Sequence, residues 1–499
     1  MFKKAALIPI VLFFLVFFFA LVWASVIPPN NEAPDEAAHL EMIYFLKTHN
    51  RPPIFNSDPE LPKLFFDQKM LSGAYYSMAY NSPLNYLPFL PFLRSSSAEN
   101  TKFNLLPARV VSATLVSLFG VFLYFGLVNL QPKSRNLAAM VALFFALIPQ
   151  VIFSAGYINI EPLALFFSAL SFFLLTRTVN NYSRVNYLYL GFSLGFLALC
   201  KANYLIIVAV FGLYTTYDLF FKQKKEKKEK VIALCFLALP FLLLNLWWWI
   251  RNFSLYHDPL IFSYIKNQII KNAPDWFFPP FKNGYNLVTI LFKPNFAKFA
   301  YLGFFANLGG ANIFLPLVFY IVFFGFLFFA VASALYFSLI KNKKSFLLAA
   351  LVSILVVNLL IFANKNLYDF SPQGRHFFPM LPILALLVFF GLKNFKSNIL
   401  PFGAVIFALV SSVFGLFSLT NQYYVSGAAY AMESNFGKVV EGFSWRFFSL
   451  SNYRNLLEYI CLDNPNLFST YFVLAYFLLF LSLAVFFLLI ILRGTDGGK

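Results

Sequence analysis

The chain has 499 residues, of which 60% are apolar, 21% aromatic and only 12% charged. Such a balance excludes a soluble globule and defines an all-α, polytopic membrane protein. The formal charge of +18 does not signal nucleic acid. Its basic residues fall in short clusters between apolar spans, as they do on the cytoplasmic side of a membrane protein.

The first element is "MFKKAALIPIVLFFLVFFFALVWASV", basic at its start and then apolar for about 20 residues. That is longer than the core of a cleaved signal peptide, so it reads as an uncleaved first span with Lys3 and Lys4 in the cytoplasm. Apolar spans follow near 107–130, 137–156, 162–177, 187–200, 203–221, 231–250, 313–340, 346–363, 377–391, 399–420 and 468–492. The expectation is a bundle of about 12 transmembrane helices. Alternation then puts "QPKSR", "RTVNNYSR", "KQKKEKKEK", "KNKK", "LKNFK" and the Arg493 tail on the side of Lys3. Every compact basic loop therefore lies inside, both termini are cytoplasmic, and the long loops 28–106, 251–312 and 421–467 lie outside with nearly all the acidic residues. "KQKKEKKEK" reads as a solvated run facing lipid headgroups. Cys200, Cys235 and Cys461 have no CxxC spacing and imply neither a disulfide framework nor a thiolate metal site.

The first outer loop opens with "PDEAAHLEMIYFL". Pro34 suits a first helical turn, and Asp35 and Glu36 follow where the helix dipole favours negative charge. Asp35 and His39 share a face, and Leu40, Ile43, Phe45 and Leu46 form an apolar side. The pattern predicts an interfacial helix over 35–47 at the outer membrane surface. Taken alone, the acids serve equally well as a helix cap.

This motif resembles the opening of the GT-C superfamily of polytopic glycosyltransferases, whose first outer loop carries an acidic pair after the first span. More narrowly, the chain resembles a prokaryotic branch of predicted membrane proteins in that superfamily. There the acidic pair precedes a Pro-containing element, here "NSPLNYLPF", and an arginine opening the second span, here Arg109. "FSAGYINIEPLALFFSAL", "CKANYLIIV", "WWWIRNFSLYHDPL", "YLGFFANLGGANIFLP" and "SPQGRHFFPMLPILALL" follow in the same order. The resemblance covers roughly residues 1–395, within a GT-C-like transmembrane catalytic module of 1–420. Residues 421–499, an outer loop plus a final helix, carry no motif that aligns. Glu161 stands where the branch more often has Asp, and Ser82 replaces the first proline of its Pro-Pro-Leu element.

The resemblance implies a polyprenyl-phosphate-linked sugar donor held between membrane helices and an extracytoplasmic glycan, lipid or protein acceptor. A carboxylate must take the proton of the attacking hydroxyl, which assigns Asp35 as base with Glu36 second. Cations must stabilise the departing phosphate, for which Arg375 in "QGRH" leads, followed by Arg251 and Lys201. His39, Glu161, Asn159 and Gln373 are expected to orient the substrates. Each has a plainer reading: Arg375 as a snorkelling anchor, Lys201 as an interfacial turn, Glu161 as a helix cap. "WWWIR" reads as an interfacial anchor. No cofactor is required, and a divalent ion on Asp35, Glu36, His39 and Glu161 lacks any ligand-spacing motif. Two other functions share the composition: a lipid-linked sugar flippase, which needs charges along a central path, and an O-antigen ligase or polymerase, which centres on a late outer loop.

Overall fold

A computed structural model describes residues 2–27, 33–54, 78–93, 101–272, 279–293, 296–310, 313–337, 345–368, 370, 372–395, 398–422, 440–441 and 470–493. Its helices in chain order are α1 (Phe2–Val26), α2 (Glu36–His49), α3 (Thr101–Leu130), α4 (Arg135–Ala146), α5 (Pro149–Ala155), α6 (Glu161–Asn180), α7 (Arg184–Cys200) and α8 (Leu205–Tyr217). Then come α9 (Lys227–Tyr256), α10 (Phe262–Asn272), α11 (Phe296–Phe305), α12 (Leu317–Tyr336), α13 (Ser345–Tyr368), α14 (Leu381–Lys393), α15 (Ile399–Thr420) and α16 (Thr470–Arg493).

Every predicted span falls on a helix. Among the described residues, eight helical segments are long and apolar enough to cross a bilayer, and the bent pair α4–α5 makes a ninth. The described apolar parts of α7, α13 and α16 are shorter. Several spans differ in form from the uniform helices expected: 203–221 begins in a 3₁₀ turn and ends in a π-helix, and 377–391 begins in a 3₁₀ helix. Residues 137–156 break at Leu147 and Ile148 with a bend of 69°, because Pro149 lacks an N–H and disfavours helix at the residue before it. Ser412 donates its hydroxyl to the Leu147 carbonyl that the break leaves free. The span expected from 313 begins at 317, since β1 (Ile313–Phe314) pairs in parallel with β2 (Val440–Glu441). The rest of the final outer loop, Cys461, "KNKK" and residues 55–77 of the first outer loop lie outside the described residues, as does most of the segment 421–499 expected to follow the catalytic module.

Helix α1 packs against α3 and α16, α3 against α6, and α7 against α9. Together they bury one continuous apolar core from Ile8 to Ile491. Leu243 and Ile250 of α9 and Ile321 and Phe328 of α12 remain exposed, the outward faces that lipid tails cover. The predicted interfacial helix is different in position and start. α2 begins at Glu36, Asp35 is its N-cap in the left-handed region at φ 64°, and every residue from Ala38 to Leu46 is buried. It is thus packed into the protein rather than laid on the membrane surface, with Phe45 against Tyr256 and Ile261 and Leu40 and Ile43 in the main core.

Candidate active site

Adjacent acids at the start of α2 turn to different partners. Glu36 is 2% exposed and meets the equally buried Arg109 of α3. Arg109 donates from Nε to Oε1 at 2.9 Å and from Nη2 to Oε2 at 2.6 Å. The Ile158 N–H also donates to Oε1, at 2.8 Å. Arg109 Nη1 donates to the carbonyls of Ala24 and Ile27 at the end of α1. One two-residue ion pair therefore ties together α1, α2, α3 and the turn before α6, and both Glu36 oxygens are occupied.

Asp35 is the more open of the two, with a side chain 36% exposed. Arg375 donates from Nη2 to its Oδ2 at 3.1 Å and from Nη1 to the Tyr157 hydroxyl oxygen at 3.0 Å. Burial pushes the Tyr157 phenol up to about 12, so it keeps its proton as a donor. Among the described residues, that proton enters no hydrogen bond.

Glu161 opens α6 and is also buried. Lys201 forms an ion pair with its Oε2, and the Tyr204 hydroxyl donates to Oε1 at 2.8 Å. Lys201 sits in extended backbone between α7 and the turn Ala202–Tyr204, so its place in the chain is the expected tight turn, and its ammonium is paired with Glu161. Asn159 donates to the Ser154 and Tyr157 carbonyls and accepts from the Glu161 N–H, thereby shaping the turn.

His39 does not hold Asp35 as expected; its Nδ1 lies 2.9 Å from the Tyr86 hydroxyl. Asn81 donates to that same oxygen at 3.2 Å, which leaves the phenol proton for Nδ1 and places the imidazole proton on Nε2. Burial lowers His39 to about 4 and outweighs the opposing pull of Asp35. The element carrying Tyr86 is fixed in turn by Asn85, which donates to the Leu199 and Cys200 carbonyls just before Lys201.

The structure thus gathers Asp35, Glu36, His39, Asn159, Glu161, Lys201 and Arg375 around the start of α2 and the turn before α6. The charges of Asp35, Glu161 and Glu36 all bear on Tyr157. Gln373 lines the same region beside Arg375. Arg251 is not among them: it donates to the Pro53 carbonyl at 2.6 Å and lies over Trp248. Its partners are on the Phe45 side of α2, so "WWWIR" builds packing there. The four residues weighed as metal ligands take separate partners, and among the described residues no three His, Cys, Asp or Glu side chains converge as a metal site. Arg109, Tyr157, Tyr204 and Tyr86 lie within the sequence motifs, but sequence reasoning gives them no role. An arginine within a membrane helix was the available signal for the first of these.

Helical composition, span length and a cation-lined cluster of carboxylates describe a multi-pass membrane protein with a built polar site. The family model for dolichyl-phosphate-mannose-protein mannosyltransferase matches residues 69–257, a stretch that carries Arg109, Tyr157, Glu161 and Lys201 but not Asp35 or Arg375. That match supports a membrane glycosyltransferase of the GT-C superfamily. No curated protein matches the chain. Among solved structures, the apo crystal structure of the Archaeoglobus fulgidus oligosaccharyltransferase is similar at 16% identity and a TM-score of 0.43, over 90% of this chain and 63% of that one. The chain therefore spans less than two thirds of that protein's length.

Proposed function

We propose that the protein transfers a sugar from a polyprenyl-phosphate donor to an acceptor hydroxyl on the extracytoplasmic side, with Asp35 as general base. The observation that carries this reading is the different engagement of the three site carboxylates. Glu36 and Glu161 are buried with both oxygens occupied, whereas Asp35 is partly exposed and uses only Oδ2 toward Arg375. Its Oδ1 is the oxygen that can take the proton as the acceptor oxygen bonds to the anomeric carbon. The bond from that carbon to the phosphate oxygen then breaks, and polyprenyl phosphate leaves with the electron pair. Arg375 and Lys201 supply positive charge for it, and Tyr157 offers its O–H. Glu36 acts as a positioning residue that fixes the N-terminus of α2. The donor class rests on the family match and on the resemblance of the opening motif.

The test uses purified protein in lipid nanodiscs with undecaprenyl-phosphate mannose, glucose and arabinose, each labelled in the sugar, and candidate acceptors. Transfer releases undecaprenyl phosphate, and Asp35→Asn is expected to lower turnover by about 10²- to 10⁴-fold while donor binding persists. Movement of label across the bilayer with the phosphate–sugar bond intact would replace this reading with transport.

A further inference from the structure

Beside Asp35 runs a narrow crevice lined by Pro34, Gln150, Gly303, Asn307, Gln373 and Arg375. Two of these residues carry a buried polar atom with no hydrogen-bond partner among the described residues: Nε of Arg375 and the side-chain oxygen Oδ1 of Asn307. One is an obligate donor and the other an acceptor. Buried polar atoms are nearly always paired, so an orphan of each kind on residues of one crevice points to a group supplied from beyond the described residues.

The crevice is built rather than incidental. Gln150 accepts the Asn307 backbone N–H at 2.6 Å, which anchors that residue by its main chain and leaves its side chain uncommitted. The opposite wall is formed where Gly303 of α11 and Gly374 pass in backbone contact. A Cβ on Gly374 would stand 1.9 Å from the Phe304 nitrogen, so no other residue fits there.

Chemistry narrows the guest. Phosphate accepts but does not donate, and an ammonium donates but does not accept, so neither satisfies both orphans. A hydroxyl does both, as a water does, and the hydroxyls of the proposed sugar substrates are those this crevice would meet. We infer that the crevice receives one hydroxyl of a bound sugar, which accepts from the Nε–H of Arg375 and donates to Asn307. This rests on the glycosyl-transfer reading and deepens it. Each guanidinium nitrogen of Arg375 then has its own partner, with Nη2 on the base, Nη1 on Tyr157 and Nε on the sugar. One rigid fork sets the distance between the base and the reacting ring. The hydroxyl belongs either to the donor sugar or to a sugar acceptor, and the two are separable.

The experiment pairs Asn307→Leu with substrates lacking single hydroxyls. In nanodiscs, the undecaprenyl-phosphate sugar that the wild type uses is compared with its monodeoxy analogues. Asn307→Leu should lower kcat/KM by about 10- to 100-fold. One deoxy analogue should cost the wild type a similar factor and cost the variant nothing further. If that non-additivity arises with a deoxygenated acceptor instead, the crevice holds the acceptor sugar. Purely additive losses for every analogue of both substrates would overturn the inference while leaving glycosyl transfer in place. Asn307→Asp keeps an acceptor oxygen and should retain the discrimination, which guards against a folding defect in the leucine variant. If no sugar is transferred, binding decides: undecaprenyl-phosphate sugars should raise the melting temperature above that with undecaprenyl phosphate, and Asn307→Leu should abolish the increment. Absence of an increment in the wild type, with the undecaprenyl-phosphate sugars and with the candidate sugar acceptors alike, would end the proposal.

Discussion

Asp35 and Glu36 are neighbours in sequence, yet one is partly exposed and the other buried and fully paired. Glu36 lies in a dry pocket where its charge is tolerable only because Arg109 and the Ile158 N–H meet it. Removing one member leaves the other charge buried alone, so Arg109→Met is expected to destabilise the protein by about 3–5 kcal/mol. Thermal unfolding in detergent measures it, and Glu36→Gln combined with Arg109→Met should recover a large part of the loss. Arg375→Lys keeps the charge but replaces a fork reaching Asp35 and Tyr157 with a single point. Turnover should fall in that variant while the melting temperature holds; equal turnover in Arg375→Ala would return the residue to an anchoring role. His39 supplies a pH test. Its folded value of about 4 lies below the ordinary 6.5, so the unfolded chain binds the extra proton. Stability from this group is complete above pH 6.5 and is lost as pH falls toward 4, by roughly 3 kcal/mol in all. His39→Gln should flatten the melting temperature over that window.

At the scale of elements, the spans were legible because apolar length alone reports them, and the acids of the first outer loop were legible as a motif. The seating of α2 was not. An apolar stripe over Leu40, Ile43, Phe45 and Leu46 reads the same whether lipid or protein covers it, and only the Glu36–Arg109 pair decides in favour of burial. The broken helix α4–α5 was visible at Pro149, but its use was not: the break lets the chain turn back so that Tyr157 and Ile158 reach Arg375 and Glu36. Gly374 shows how closely α11 is held against the 3₁₀ helix Gly374–Met380 that leads into α14. Gly374→Ala should force the two backbones apart and disable transfer with a lowered melting temperature, whereas Gly284→Ala, in open space though at positive φ, should lose stability through local strain with transfer retained.

Over the whole molecule, the basic-loop pattern predicts a topology that labelling checks directly. In a background with Cys200, Cys235 and Cys461 replaced, Asn283→Cys should react with an impermeant maleimide from outside, and Lys225→Cys only after permeabilisation. Reaction of both from outside would overturn the assignment. What the chain did not disclose is pairing at long range, since no local pattern says which cation answers which acid: Arg251 and Arg375 look alike as outer arginines after or before a span, and only one reaches Asp35.

The spacing of the two ion pairs carries a consequence for biogenesis. Glu36 and Arg109 are 73 residues apart, whereas Asp35 and Arg375 are 340 apart. A chain inserted as it is made can close the first pair once α3 has entered the bilayer. The second must wait for the late helices, about 10 to 50 s longer at ordinary synthesis rates. The scaffold around α2 is therefore expected to set early, while Asp35 meets its guanidinium only when the segment leading into α14 arrives. A truncated or stalled chain would hold α2 docked by Glu36 and Arg109 but lack the Asp35–Arg375 contact on which the proposed transfer depends.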